Sequence, residues 1–270
     1  MLLCVLPYVC TADDAGMLSA YPLDAEHMVQ WRLPERLHEV SGLALTRDER
    51  LFSIADERAL VFEMDVENRR LKKVFALGDP VVRGDFEGIA VFDDTFYLIT
   101  SAGEIFAAQE GADGEKVDYT VTSTGLGELC EIEGLATDVV QRRLLIACKQ
   151  IRNGMQRLPI FAWSIDDKTL LESATIDIPV SDITQEIKER RFNPSGIAVD
   201  VKTGHLLLIA SRQHSIVELA SDGRLLRALK LPMKHRHRQP EGIELMSDGR
   251  LLIADEGGNH KARLAVYTSQ

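Results

Sequence analysis

"DFEGIAV", residues 85–91, recurs in altered form at four other places: "EVSGLAL" from Glu39, "EIEGLAT" from Glu131, "NPSGIAV" from Asn193 and "QPEGIEL" from Gln239. Each copy sets a small polar or acidic residue directly before a glycine and an apolar run. The glycines are Gly42, Gly88, Gly134, Gly196 and Gly242, and their separations are 46, 46, 62 and 46 residues. A near-fixed period of this size signals a repeat architecture. Every period holds the same parts: an apolar run after the glycine, a polar turn, a second run such as "LLLIASR" (206–212), a third such as "SIVELAS" (215–221) and, in places, a fourth such as "RLLRALKLP" (224–232). Four short strands in 40–50 residues, with turn signals every 8–12, form the blade of a β-propeller.

The expected fold is therefore all-β: a five-bladed propeller of four-stranded antiparallel blades. The long interval has only 16 residues to spare, too few for a sixth blade. It holds the one helical pattern, "SDITQEIKERR" (181–191), with Ser181 and Asp182 as possible caps. The last unit runs out after its third strand, at Tyr267. "MVQWRLPERLHEVSG" (28–42) mimics "LLRALKLPMKHRHRQPEG" (225–242), so a strand over residues 28–33 is expected to complete the last blade and close the ring.

The chain has 270 residues, is 45% hydrophobic and carries a formal charge of -11. That is enough for a full core, and the negative charge argues against nucleic acid and anionic membrane surfaces as partners. No apolar run reaches the 18 residues that a membrane-spanning helix needs. Residues 1–26 read as an apolar leader, either the remnant of a signal peptide or a strand packed on the domain, and 27–270 as one propeller domain, expected to be a monomer. An exported, periplasmic or membrane-associated location stands level with a cytoplasmic one. Cys4 and Cys10 fall in the leader. Cys130 and Cys148 fall in one repeat and are read as two buried thiols, with a bridge between them as the alternative.

In a propeller the first strand of each blade lines a central channel. The residues just before the glycines, Ser41, Glu87, Glu133, Ser195 and Glu241, should converge at one mouth of it. Two positions earlier stand Glu39, Asp85, Glu131, Asn193 and Gln239, and side chains two apart share a side of a strand. Three carboxylates near one axis repel; they take up protons or share a cation. An all-oxygen donor set favours a hard ion, and a wide ring favours Ca²⁺ over Mg²⁺. Glu87, Glu133 and Glu241 are the expected metal ligands. The alternative, preferred for Ser41 and Ser195, is that these groups bond to neighbouring blades. A second ring at the ends of the second strands holds Asp56, Ser101, Lys149, Ser211 and Asp255. Asp56 and Asp255 read as pocket acids or as turn formers, and Lys149 as a partner for Glu131 or Glu133 that lowers cation affinity. The basic runs "KHRHR" (234–238) and "KERR" (188–191) read as solvated charge or as anion contacts.

This pattern resembles the SdiA-regulated (YjiK-like) family of bacterial proteins over residues 28–268. The likeness rests on "EVSGLA", "DFEGIAV", "CEIEGLA", "NPSGIAVD" and "QPEGIELMSDGRLLIADE", and on the order Ser, Glu, Glu, Ser, Glu before the glycines. It implies a five-bladed propeller with bound calcium, distantly similar to NHL-repeat propellers, and no established activity. A wider likeness is to the gluconolactonase and paraoxonase propellers. Those six-bladed hydrolases place acidic or amide metal ligands before such a glycine, but their Asn is missing here. The expected function is calcium-dependent binding of a small-molecule or protein ligand at the channel mouth. The alternative is a metal-dependent esterase or lactonase with Asp56, Asp255 or His237 as base, and the third reading is a purely structural metal.

Overall fold

The short apolar runs are rich in β-branched and aromatic residues and too brief for helices, and they fold as strands. The computed structural model describes residues 16–151, 157–231 and 236–270. Strand β1 (Met28–Arg32) comes first. Blade I is β2 (Val40–Leu45), β3 (Leu51–Ala55), β4 (Arg58–Asp65) and β5 (Arg70–Leu77). Blade II is β6 (Phe86–Phe92), β7 (Thr95–Thr100), β8 (Glu104–Gln109) and, after the short β9 (Lys116–Val117), β10 (Tyr119–Ser123). Blade III is β11 (Cys130–Asp138), β12 (Arg143–Ile151), β13 (Arg157–Ser164) and β14 (Ile176–Pro179). Helix α1 (Val180–Ile187) follows. Blade IV is β15 (Gly196–Val199), β16 (Leu206–Ala210), β17 (Ser215–Leu219) and β18 (Leu225–Lys230). Blade V is β19 (Pro240–Leu245), β20 (Leu251–Asp255) and β21 (Arg263–Tyr267).

Blade V takes its fourth strand from β1, which runs antiparallel to β21 from Met28↔Tyr267 to Arg32↔Arg263. The inner strands β2, β6, β11, β15 and β19 touch in sequence, and β19 touches β2, so the five blades form a ring. The two-residue period of a strand gives each blade two apolar faces, one for each neighbour. In β16, Leu206 and Leu208 pack toward blade III, while Leu207 and Ile209 pack toward blade V. The core is accordingly five apolar layers, one per blade junction. Each buried Leu, Ile or Phe in them contributes about 1.5–3 kcal/mol.

The repeated glycines set the width of the channel. A Cβ on Gly88 would lie 2.6 Å from the Leu135 backbone nitrogen, and one on Gly242 would lie 2.8 Å from Leu43 Cγ. Adjacent inner strands approach too closely here for any side chain.

Four details depart from the sequence reading or refine it. Cys130 and Cys148 are joined in a disulfide, with Cα atoms 5.8 Å apart, rather than held as two thiols. The start of β11 lies against the end of β12, with Cys130 opposite Ile151 and Cys148 opposite Ile132, so the two cysteines are diagonal neighbours across the hairpin, within the separation that a bridge needs. Helix α1 begins at Val180, so Ser181 and Asp182 lie in its first turn; the Ser181 hydroxyl donates to Asp182, and no side chain caps the helix start. Strand β9 adds a fifth, parallel strand to blade I through Ala76↔Lys116 and Leu77↔Val117. Within the expected leader, residues 1–15 lie outside the described residues. The turn Met17–Ala20 that follows packs on blades IV and V, where buried Glu218 accepts the backbone N–H groups of Met17 and Leu18 at 2.8 and 2.9 Å.

Candidate functional site: the glutamate mouth

The inner strands begin at one end of the channel, and there the two serines and three glutamates behave differently. Ser41 donates its hydroxyl to the Phe86 carbonyl of the next blade at 2.5 Å, and Ser195 donates to the Pro240 carbonyl at 2.6 Å. These are the blade-to-blade bonds expected as the alternative to metal binding at the serines. A carboxylate has no proton to give to such a carbonyl. Glu87 and Glu241 instead line the narrow waist of the channel beside Gly88 and Gly242, around a space of about 10 Å³. That is about the room one water needs.

Burial, then repulsion from Glu133, Asp85 and Glu241, pushes the Glu87 carboxyl up to about 9. Burial, then Glu133 and Glu256, pushes Glu241 up to about 8. Glu133 is also raised by burial, but the Lys149 ammonium bonds to it and opposes the shift. Burial pulls Lys149 down, and its bonds to Glu133 and, at 3.4 Å, to Glu131 outweigh this and leave it raised. The disulfide sits at the root of this cluster. Cys130 precedes Glu131 on β11 and Cys148 precedes Lys149 on β12, so the bridge clamps the two strand ends that carry the ion pair.

Beside the waist lies a pocket of about 390 Å³ that gathers Glu133, Lys149, Asn193, Ser195, Gln239 and Glu241. Asn193 donates to the Lys149 carbonyl at 2.9 Å, which ties blade IV to blade III. Ser211 also lines the pocket, and its hydroxyl bonds Glu241. Other residues expected at the mouth surround this pocket without lining it. Exposed Asp85 accepts from Ser101 at 2.5 Å, and Glu131 lies exposed at the edge of a separate groove. Asp56 is raised to about 6 by burial and by Glu39, and its Oδ1 has no partner among the described residues. Asp255 is enclosed inside blade V, where Oδ2 faces His237 Nδ1 at 2.8 Å and His237 Nε2 faces the Tyr267 hydroxyl at 2.6 Å. Neither Asp255 nor His237 lines the pocket, so both are corrected from candidate base to buried network.

Sequence reading missed Glu256, Arg212 and His214, which complete the pocket together with Arg238 of the run "KHRHR". Glu256 accepts from Gln239 at 2.9 Å, and burial together with Glu39 raises it. It is the last letter of "IADE" (253–256), and the signal was there, one residue past the aspartate singled out. Of the run "KHRHR", Lys234 and His235 lie outside the described residues. Of "KERR", Arg190 and Arg191 line a neighbouring pocket with Arg157.

The carboxylates at the mouth offer oxygen donors, and no cationic side chain among the described residues bonds Glu87 or Glu241, which suits a hard ion. Lys149 already offsets Glu133, and among the described residues no three His, Cys, Asp or Glu side chains stand ready-arranged for a metal. The chemistry of the donors fits Ca²⁺, and the arrangement is not preassembled.

Ring, waist and mouth together define a five-bladed β-propeller with an acidic channel entrance. Residues 172–269, which span the end of blade III, all of blade IV and the last three strands of blade V, match the family model described as SdiA-regulated. A sequence search of curated proteins gives no match. Solved structures share the fold at low identity. A glutaminyl cyclase from Myxococcus xanthus aligns with a TM-score of 0.58 at 13% identity over 89% of this chain and 94% of its own. A luciferin-regenerating enzyme aligns with 0.55 at 10% identity over 90% and 95%. A gluconolactonase from Xanthomonas campestris aligns with 0.50 at 16% identity over 84% and 71%. No described helix is long and apolar enough to cross a membrane.

Proposed function

We propose that the protein is a ligand-binding propeller whose glutamate mouth takes a divalent cation, with Ca²⁺ the ion its oxygens suit best. The observation that carries this reading is the placing of Glu87 and Glu241 on the channel waist beside Glu133, where burial and mutual repulsion raise the carboxyls of both. When bound, the cation supplies positive charge on the axis and an electrophilic face toward the pocket. Glu87, Glu133 and Glu241 are the residues that would hold it, and Lys149 must release Glu133 for all three to serve. Asn193, Gln239 and Glu256 then offer polar contacts to a ligand in the adjoining pocket. The disulfide supports an oxidising, exported location. For the hydrolase alternative, two of the three bases named from sequence, His237 and Asp255, are enclosed, and no observation favours it.

The test is elemental analysis of the purified protein, followed by calorimetric titration with CaCl₂. One equivalent of calcium, lost in Glu87→Gln/Glu241→Gln, is the expected result. Absence of both stoichiometric metal and saturable calcium binding would overturn the proposal.

A further inference from the structure

At its other end the channel opens into a cavity of about 550 Å³. Small-molecule sites commonly span roughly 300–1,000 Å³. Its wall is the finishing ends of the inner strands, including Leu45, Val91, Val199 and Leu245, and its rim carries Val139, Val140 and Val201, which are 53%, 80% and 58% exposed. Two polar side chains interrupt this wall: Thr137, whose hydroxyl donates to the Val91 carbonyl at 3.0 Å, and Glu244. Two residues after the repeat glycine, four blades carry alanine: Ala44, Ala90, Ala136 and Ala198. The fifth carries Glu244.

Glu244 accepts the N–H of Leu245 at 3.2 Å and the N–H of Leu45 in blade I. No cationic side chain among the described residues bonds it. The charged groups around it are Arg47 and Glu49 after β2, Asp93 after β6, Asp138 at the end of β11, Arg142 in the turn that follows, and Asp200 after β15. Arg142 is turned to Asp166 at 2.7 Å, so acid outweighs base at the rim.

We propose that this cavity binds a small organic cation, an amine on an apolar body, with Glu244 receiving the ammonium and the strand ends and valine rim covering the hydrocarbon. A carboxylate in an apolar wall selects against anions, and one that lacks a cationic partner gains most from a ligand that brings one. An apolar-lined cavity with few convergent polar groups is the usual form of a small-molecule site. Burial, with a contribution from Glu49, pushes the Glu244 carboxyl up to about 8, so amine binding at neutral pH displaces a proton from it.

The experiment is calorimetric titration of the full chain with phenethylamine, 2-phenylethanol and 3-phenylpropanoate, each repeated in two buffers of different ionisation enthalpy. The amine is expected to bind at one site with proton release, the alcohol about tenfold more weakly and the acid not at all. Glu244→Gln should cost the amine about tenfold and remove its advantage over the alcohol. Val140→Arg, at an exposed rim position that leaves the core intact, should weaken the amine as well. The Glu87→Gln/Glu241→Gln variant should bind the amine as the parent does. The proposal fails if the amine does not saturate, if Glu244→Gln binds it equally, or if its binding is lost only in the Glu87/Glu241 variant.

Discussion

At one end of the channel the inner strands begin with Ser41, Glu87, Glu133, Ser195 and Glu241; at the other they finish among Leu45, Val91, Val199 and Leu245. The same five strands build both ends, and the glycine waist separates them. At the polar end two of five positions are spent on joining blades, because only serine can donate to a neighbour's carbonyl. The three glutamates fasten no carbonyl and repel one another. At the apolar end four alanines keep the repeat and a single glutamate breaks it. In a ring of near-copies, what repeats builds the scaffold, and what fails to repeat marks where chemistry can be placed.

This contrast can be broken or sharpened by experiment. Replacing both cysteines by alanine should cost about 3 kcal/mol, the scale for a loop of this length. Melting curves should fall by roughly 6–12 °C. Calcium affinity should fall too, while amine binding at the far end stays as it was. Glu87→Gln/Glu241→Gln should weaken calcium binding by about 100-fold, about 2.8 kcal/mol at 1.4 kcal/mol per factor of ten. An equal affinity in this variant would place the cation elsewhere. Gly88→Ala strikes the waist that both ends share; with backbone at 2.6 Å it should destabilise the fold by about 1–3 kcal/mol in denaturant titrations. Lys149→Met frees Glu133 and should tighten calcium about tenfold, with little effect on the apolar end.

The last test is pH. Glu87 is raised from its ordinary 4.5 to about 9, so the folded state holds a proton that the unfolded chain has lost. The stability of the ion-free protein should therefore be highest below about pH 4.5 with respect to this group and decline as pH rises toward 9. Added calcium, or Glu87→Gln, should flatten that slope in melting temperature against pH.

The blades and the ring closure were legible because both rest on period: glycines 46 residues apart, and a Leu-Pro strand echoed at residues 28–42. The glutamate column was legible for the same reason. What escaped depends on which way a side chain turns once a strand is placed. "IADE" occurs at 54–57 of one blade and 253–256 of another; Asp255 turns inward to His237 and Asp56 does not. No local pattern separates those two outcomes, because His237 reaches Asp255 from the link before β19. The disulfide escaped because its fit depends on the register of β11 against β12, which spacing alone does not fix.

The pairing of β1 with β21 has a mechanical consequence. Met28 belongs to the apolar layer shared by blades IV and V, while Trp31 packs on the layer shared by blades V and I. Peeling this one strand away would wet two layers at once, so the seam has no cheap partial opening. Amide protons of β1 and β21 should exchange with solvent only when the whole ring comes apart, and the seam, rather than any single blade, should set how long the native molecule lasts.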